Sequence, residues 1–131
     1  MAGDETQTPV EFLTVGAGAD ARRIATIVEP GDAPGVVWLQ GFKSDMVSTK
    51  ASALSEWARA HGVALTRFDY SGHGQSEGRF EDGTISLWLD EAIAVLTEKT
   101  IGPQIVVGSS MGGYLTLLMV RRLAAAAPEI A

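Results

Sequence analysis

Two serines and three glycines are crowded into Gly108-Ser109-Ser110-Met111-Gly112-Gly113. A β-rich run, Ile105 to Val107, leads into them, and an apolar helical pattern, Met111 to Ala126, follows at once. Gly108-x-Ser110-x-Gly112 has the spacing of a very tight strand-to-helix turn. In such a turn the central serine is held in a strained backbone conformation that lifts its hydroxyl above the sheet. Side chains two residues to either side would clash, hence Gly108 and Gly112. Ser110 occupies the centre and is the candidate nucleophile; Ser109 reads as a structural hydroxyl. The helix N-terminus favours negative charge, and the Met111 N–H is placed to meet an oxyanion. Gly113 is expected to let the start of the helix lie close to the sheet.

A second oxyanion donor should come from a loop after an earlier strand. "LQGFKSD" is in that place, with Gly41 allowing close approach and Phe42 supplying the N–H. Other residues compete less well. "GAGADA", Gly16 to Ala21, matches a dinucleotide fingerprint but is followed by the strand-like "RRIATIV" rather than a helix, so a hairpin turn is expected. "SGHGQSEG" also lacks a directly following helix. His73, in that loop, precedes the serine and has no evident acidic orienter; it reads as a neutral loop residue. His61 precedes Gly62 and reads as a helix C-terminal residue. Asp69 is expected to fasten the next loop through backbone N–H groups. Lys43, Asp45 and Lys50 are either surface charges or contacts for the polar end of a substrate.

The elements that must position these groups follow from periodicity. Val10–Val15 and Arg23–Val28 alternate and read as a hairpin. "EPGDAPG" reads as a loop and Val36–Leu39 as a strand buried on both faces. Thr49–Ala60 has helical spacing, capped by Ser48 and stopped by Gly62. Val63–Tyr70 is a strand, Thr84–Thr100 a helix, Ile105–Val107 a strand and Met111–Ala126 a helix. A hairpin followed by alternating strands and helices implies a parallel sheet with helices on both faces. Ligands then gather at the carboxyl ends of the strands, where the three glycine-rich loops lie.

Composition narrows the function. The chain has 131 residues, enough for one domain over residues 1–131, with residues 1–9 expected to be flexible. A net charge of −6 and no basic block argue against nucleic acid. No window has the length of a membrane span. There is no cysteine and there are only two histidines, which excludes thiol catalysis and multi-histidine metal sites within one chain. No cofactor is implied. The acidic, polar start "MAGDETQTPV" is not a targeting peptide, so a cytoplasmic location is expected.

The combination "LQGF", "FDYSGHGQSEG" and "GSSMGG" resembles the N-terminal half of an α/β-hydrolase, a serine hydrolase. "QGFKSDM", "TKA" and "RFDYSG" are similar to the branch of that family containing the mitochondrial palmitoyl-protein thioesterase, also described as mycophenolic acid acyl-glucuronide esterase. The resemblance spans about Val36 to Pro128. It implies hydrolysis of small-molecule carboxylic esters or acyl thioesters through an acyl-serine intermediate, with Ser110 as nucleophile and Phe42 and Met111 as oxyanion donors. In that fold the triad acid and histidine follow the serine, on later loops, and the lid lies there too. Neither triad partner follows Ser110 here, so a chain truncated before them, with little activity of its own, is expected. So is a last strand left as an open edge, inviting self-association. A non-catalytic α/β-hydrolase-like interaction module is the alternative, and a nucleotide-binding α/β domain a third reading.

Overall fold

The computed structural model describes residues 8–126. The expected flexibility of residues 1–9 concerns mostly residues 1–7, which lie outside the described residues, as do residues 127–131. Five strands form one mixed sheet in the order β1-β2-β4-β3-β5. They are β1 (Glu11–Val15), β2 (Arg22–Glu29), β3 (Asp32–Leu39), β4 (Val63–Phe68) and β5 (Gln104–Gly108). Three helices connect or follow them: α1 (Thr49–His61), α2 (Ile85–Lys99) and α3 (Met111–Ala126). β1 and β2 form the expected hairpin, with Leu13 opposite Ile24. β2 then pairs antiparallel with β4, and β4–β3–β5 run parallel.

Alternation along the strands sorts the core into two layers. Val37 and Leu39 of β3 and Phe68 of β4 join Trp88, Leu89, Ala92 and Val95 of α2 and Leu115 and Met119 of α3. Val36, Trp38 and Leu65 point the other way and pack on Ala51 and Ala58 of α1. Helices therefore cover both faces, as period-two burial on each strand requires.

α1 begins where Ser48 accepts the Ala51 N–H and stops where Gly62 turns left-handed at φ 67°, donating back to Ala58 and Arg59. Thr84 caps α2 in the same way, through Leu87 N–H. One expectation needs correction. The segment after β2 is only partly a loop: β3 starts at Asp32, and its register on β4 is irregular between Asp32 and Val36. Pro34 has no N–H for a ladder, which is why regular pairing begins only beyond it. "GAGADA" is a turn between β1 and β2 holding a short 3-10 helix, Gly18–Asp20, not a phosphate loop.

Candidate active site

β5 delivers Gly108 at its last position, and α3 starts three residues later at Met111. Ser110 between them has φ 56°, the left-handed region that a non-glycine residue enters only at a cost. The glycines explain how the turn is held. A Cβ at Gly112 would overlap the Leu39 carbonyl, and one at Gly108 would come within 2.5 Å of the Gly112 oxygen. Ser109 N–H donates to Leu39 O at 3.1 Å, stitching the turn to β3. Gly113 departs from expectation. A Cβ there would meet only ordinary contacts, the first at 3.6 Å, so the close helix-to-strand approach rests on Gly112 against β3 and Gly108 against α3.

The loop after β3 faces this turn. A Cβ on Gly41 would sit 3.4 Å from Ser110 Cβ, so the loop backbone lies at contact distance from the serine. Among the described residues no hydrogen bond engages Ser110 Oγ, Phe42 N–H or Met111 N–H. Phe42 and Ser110 line one cleft of about 390 Å³ with Gly41, Ser109, and Ser48 and Lys50 at the start of α1, and Met111 follows Ser110 in the chain as the first residue of α3. Lys50 Nζ donates to Ser109 Oγ at 3.2 Å, which supports reading Ser109 as a structural hydroxyl. Lys43 instead lays its Nζ over the Phe80 ring, 5.2 Å from the centroid. Asp45 accepts the Val47 N–H within its own turn. Trp38 Nε1 and Gln40 Oε1 are buried in the cleft wall with no protein partner.

Beneath the cleft lies a buried polar network that sequence reasoning largely missed. Asp69 is 1% exposed and accepts the Met46 and Gln75 N–H groups at 2.8 and 2.9 Å. It thus fastens two loops, one more than expected. Burial pushes its carboxyl above the ordinary value, against the pull of those two donors. Tyr70 OH donates to Gln40 O, and Gln40 Nε2 donates to Phe68 O, tying the β3 loop to the end of β4. Burial also raises the Tyr70 hydroxyl, with the Glu91 charge adding to it, so the phenol stays a donor. Glu91 is fully buried, paired with Arg22 at 2.8 Å and accepting Ser71 N–H at 2.7 Å. Arg67 reaches Met46 O and Glu29, although desolvation lowers its guanidinium. The available signal was the density of polar residues in "RFDYSGHG", at the end of a strand that must be buried.

Neither histidine reaches Ser110 as a base. His61 ends α1 and its Nδ1 is 2.8 Å from Trp57 O, with the ring stacked on Trp57. α1 has 13 residues, so at about 1.5 Å per residue its C-terminus is roughly 18 Å from the end that lines the cleft. His73 is 6% exposed, with both ring nitrogens engaged: Nε2 with Lys43 N–H at 3.1 Å and Nδ1 with Ser71 O at 3.0 Å. No histidine, aspartate or glutamate lines the cleft among the described residues.

Residues 35–129 match the family described as serine aminopeptidase, S33, a hydrolase family. Among curated proteins, the chain is 42% identical over 109 residues to the Bos taurus protein named palmitoyl-protein thioesterase ABHD10, mitochondrial; the match covers 83% of this chain and 35% of that protein. Among solved structures, one from Agrobacterium vitis superposes with a TM-score of 0.87 at 48% identity, over 91% of this chain and 47% of that one. Mouse alpha/beta hydrolase domain-containing protein 10 superposes at 0.80 and 35% identity, over 93% and 46%. The chain thus spans about a third of the curated relative and about half of the solved ones. These matches establish the α/β-hydrolase fold and the resemblance seen in the motifs. They correct the expected cytoplasmic location, because the curated relatives are named mitochondrial. That expectation rested on the lack of a signal at the start of the chain, which is not a positive physical feature.

Proposed function

We propose, for a chain that belongs to the serine aminopeptidase S33 family of α/β-hydrolases, that Ser110 is the nucleophile of a hydrolase acting on carboxylic esters or acyl thioesters. The observation that carries this reading is Ser110 at φ 56°, held there by Gly112 against Leu39 and left with a free hydroxyl at the cleft. A strained, unbonded serine at a strand-to-helix joint is costly unless the exposed hydroxyl is used. The thioester option follows the name of the relatives.

In this reading Ser110 Oγ adds to the acyl carbon and its proton passes to a base. The carbonyl oxygen gains negative charge between Phe42 N–H and Met111 N–H, with the α3 N-terminus behind it. Collapse expels the alcohol or thiol and leaves an acyl-serine, which water hydrolyses by the same route. Loss of one oxyanion donor costs about 10²–10³ in rate. A base and its acidic orienter must stand within hydrogen-bond reach of Ser110, and none does among the described residues. Without them a serine hydroxyl is a weak nucleophile at neutral pH, and about 10³–10⁴ over water remains from the oxyanion hole and binding. In this reading the described residues contribute the nucleophile and the two oxyanion donors, and none of them contributes the proton-transfer pair.

A second reading is a non-catalytic α/β-hydrolase-like interaction module. Fluorophosphonate labelling, with Ser110→Ala beside it, separates the two. Labelling lost in the variant establishes an activated Ser110. A folded protein that does not label, and that hydrolyses no p-nitrophenyl acyl ester above the Ser110→Ala background, has no base that activates Ser110, which counts against hydrolysis by these 131 residues alone.

A further inference from the structure

We propose that His73 is a positioning residue for the oxyanion loop, and that it works only while its ring is neutral. A backbone N–H can only donate, so the 3.1 Å contact from Lys43 N–H makes His73 Nε2 an acceptor without a proton. The proton is then on Nδ1, which donates to Ser71 O at 3.0 Å. Both roles are set by partners that cannot change theirs.

The bond sits where the loop most needs it. Lys43 has φ 63°, the only left-handed non-glycine residue besides Ser110 among the described residues. It directly follows Phe42, whose N–H is the proposed oxyanion donor. A strained residue persists only where surrounding contacts over-determine it. Several contacts do so here: the His73 bond, the turn bond from Ser44 N–H to Gly41 O, Lys43 Nζ over Phe80, and the Phe42 ring against Phe80 at 5.1 Å and Trp88 at 6.0 Å. The imidazole itself is gripped by Tyr70, Phe80 and Trp88, with ring centroids 5.3–5.7 Å away. It cannot swing aside to offer another atom. The titratable and charged groups facing it are Tyr70 and Asp69 from the end of β4, Lys43 from the loop, and Glu91 of α2 on the far side of Ser71. No carboxylate touches the ring nitrogens.

A proton taken from solvent onto Nε2 would set two donors, N–H against N–H, across that 3.1 Å contact. Lys43 would lose its acceptor and the strain at φ 63° would lose the only hydrogen bond the Lys43 N–H makes among the described residues. The loop then relaxes, and Phe42 N–H leaves the position facing Ser110. The catalytic consequence rests on the function proposed above; the clamp itself does not.

The test has an arm for each. In uniformly ¹⁵N-labelled protein, the His73 ring resonances and the Lys43 amide exchange rate are followed together as pH falls. The expected result is a neutral Nδ1–H tautomer and Lys43 protection that disappears as the ring titrates. A different tautomer, or Lys43 protection that ignores the titration, overturns the clamp. The second arm is the fluorophosphonate labelling rate against pH. His73→Gln keeps an acceptor near the Nε2 position but cannot titrate; it should label close to the wild-type rate and lose the acid limb that His73 imposes. His73→Phe keeps the aromatic packing without an acceptor, and should label at least about tenfold more slowly at every pH, with an unchanged circular dichroism spectrum. His73→Phe that labels like wild type, or His73→Gln that keeps the acid limb, overturns the proposal. If His73→Phe does not fold, His73→Gln and the wild-type exchange data decide. A wild-type protein that does not label counts against the proposed function, while the exchange arm still judges the clamp.

Discussion

The two sides of the sheet are built on opposite terms. On the β4 side, polar groups are buried and answer one another: Asp69 to Met46 and Gln75, Tyr70 to Gln40, Glu91 to Arg22 and Ser71, His73 to Lys43 and Ser71. On the β5 side, apolar groups face outward. Ile105 of β5 is 53% exposed, and Leu117 and Val120 of α3 are 71% and 49% exposed. β5 is the last strand of the sheet, with β3 on one side only. Buried hydrogen-bonded networks define one geometry because any lapse costs the desolvation of a polar group. Exposed apolar surface beside an unpaired strand edge does the reverse: it is satisfied by whatever covers it. The Ser110 turn lies on the seam, anchored to β3 on its inner side through Leu39.

That contrast can be broken at graded positions. The largest effect belongs to the seam. Gly112→Ala should cost about 3 kcal/mol or more in chemical denaturation, because the new methyl overlaps a backbone carbonyl that cannot yield. A loss below about 1 kcal/mol would show that the α3–β3 approach is slack. Next is the polar side. Asp69→Asn turns one of two acceptors into a donor facing an N–H, and should cost about 1–3 kcal/mol. On the apolar side, Leu117→Lys should leave stability within about 0.5 kcal/mol. If that face associates, the same change weakens association by about tenfold or more, read by sedimentation. Unchanged association would locate self-contact elsewhere. The smallest effect is at Ser110. Ser110→Gly removes the left-handed strain but loosens the unfolded chain, for a net gain of up to about 1 kcal/mol. A net loss would mean the serine is held by contacts rather than tolerated against strain.

Much of this was legible beforehand because it depends on local rules. The cap at Ser48, the stop at Gly62 and the hairpin at Gly16 follow from what those side chains allow the backbone to do. The elbow spacing was legible for the same reason: two side chains that would collide must be absent. Gly113 was misread because adjacent glycines look alike in one dimension; only the position of Leu39 tells which one is crowded. The strand beginning at Asp32 was hidden because Pro34 and Gly35 signal a turn, while pairing with β4 and β5 carries the chain through.

Amino-acid order by itself determined the alternation of strands and helices, the strained centre at Ser110 and the loop that faces it. Each of these is set within a few residues by sterics and periodicity. Tertiary structure alone decided what His73 does. The tautomer of an imidazole depends on which donors and acceptors meet its two nitrogens. Those are Lys43, thirty positions away in the chain, and Ser71, two positions away. It also added the second loop to the one that Asp69 was expected to fasten, through Met46 N–H. A buried carboxylate with a backbone N–H on each oxygen is closed off from the cleft.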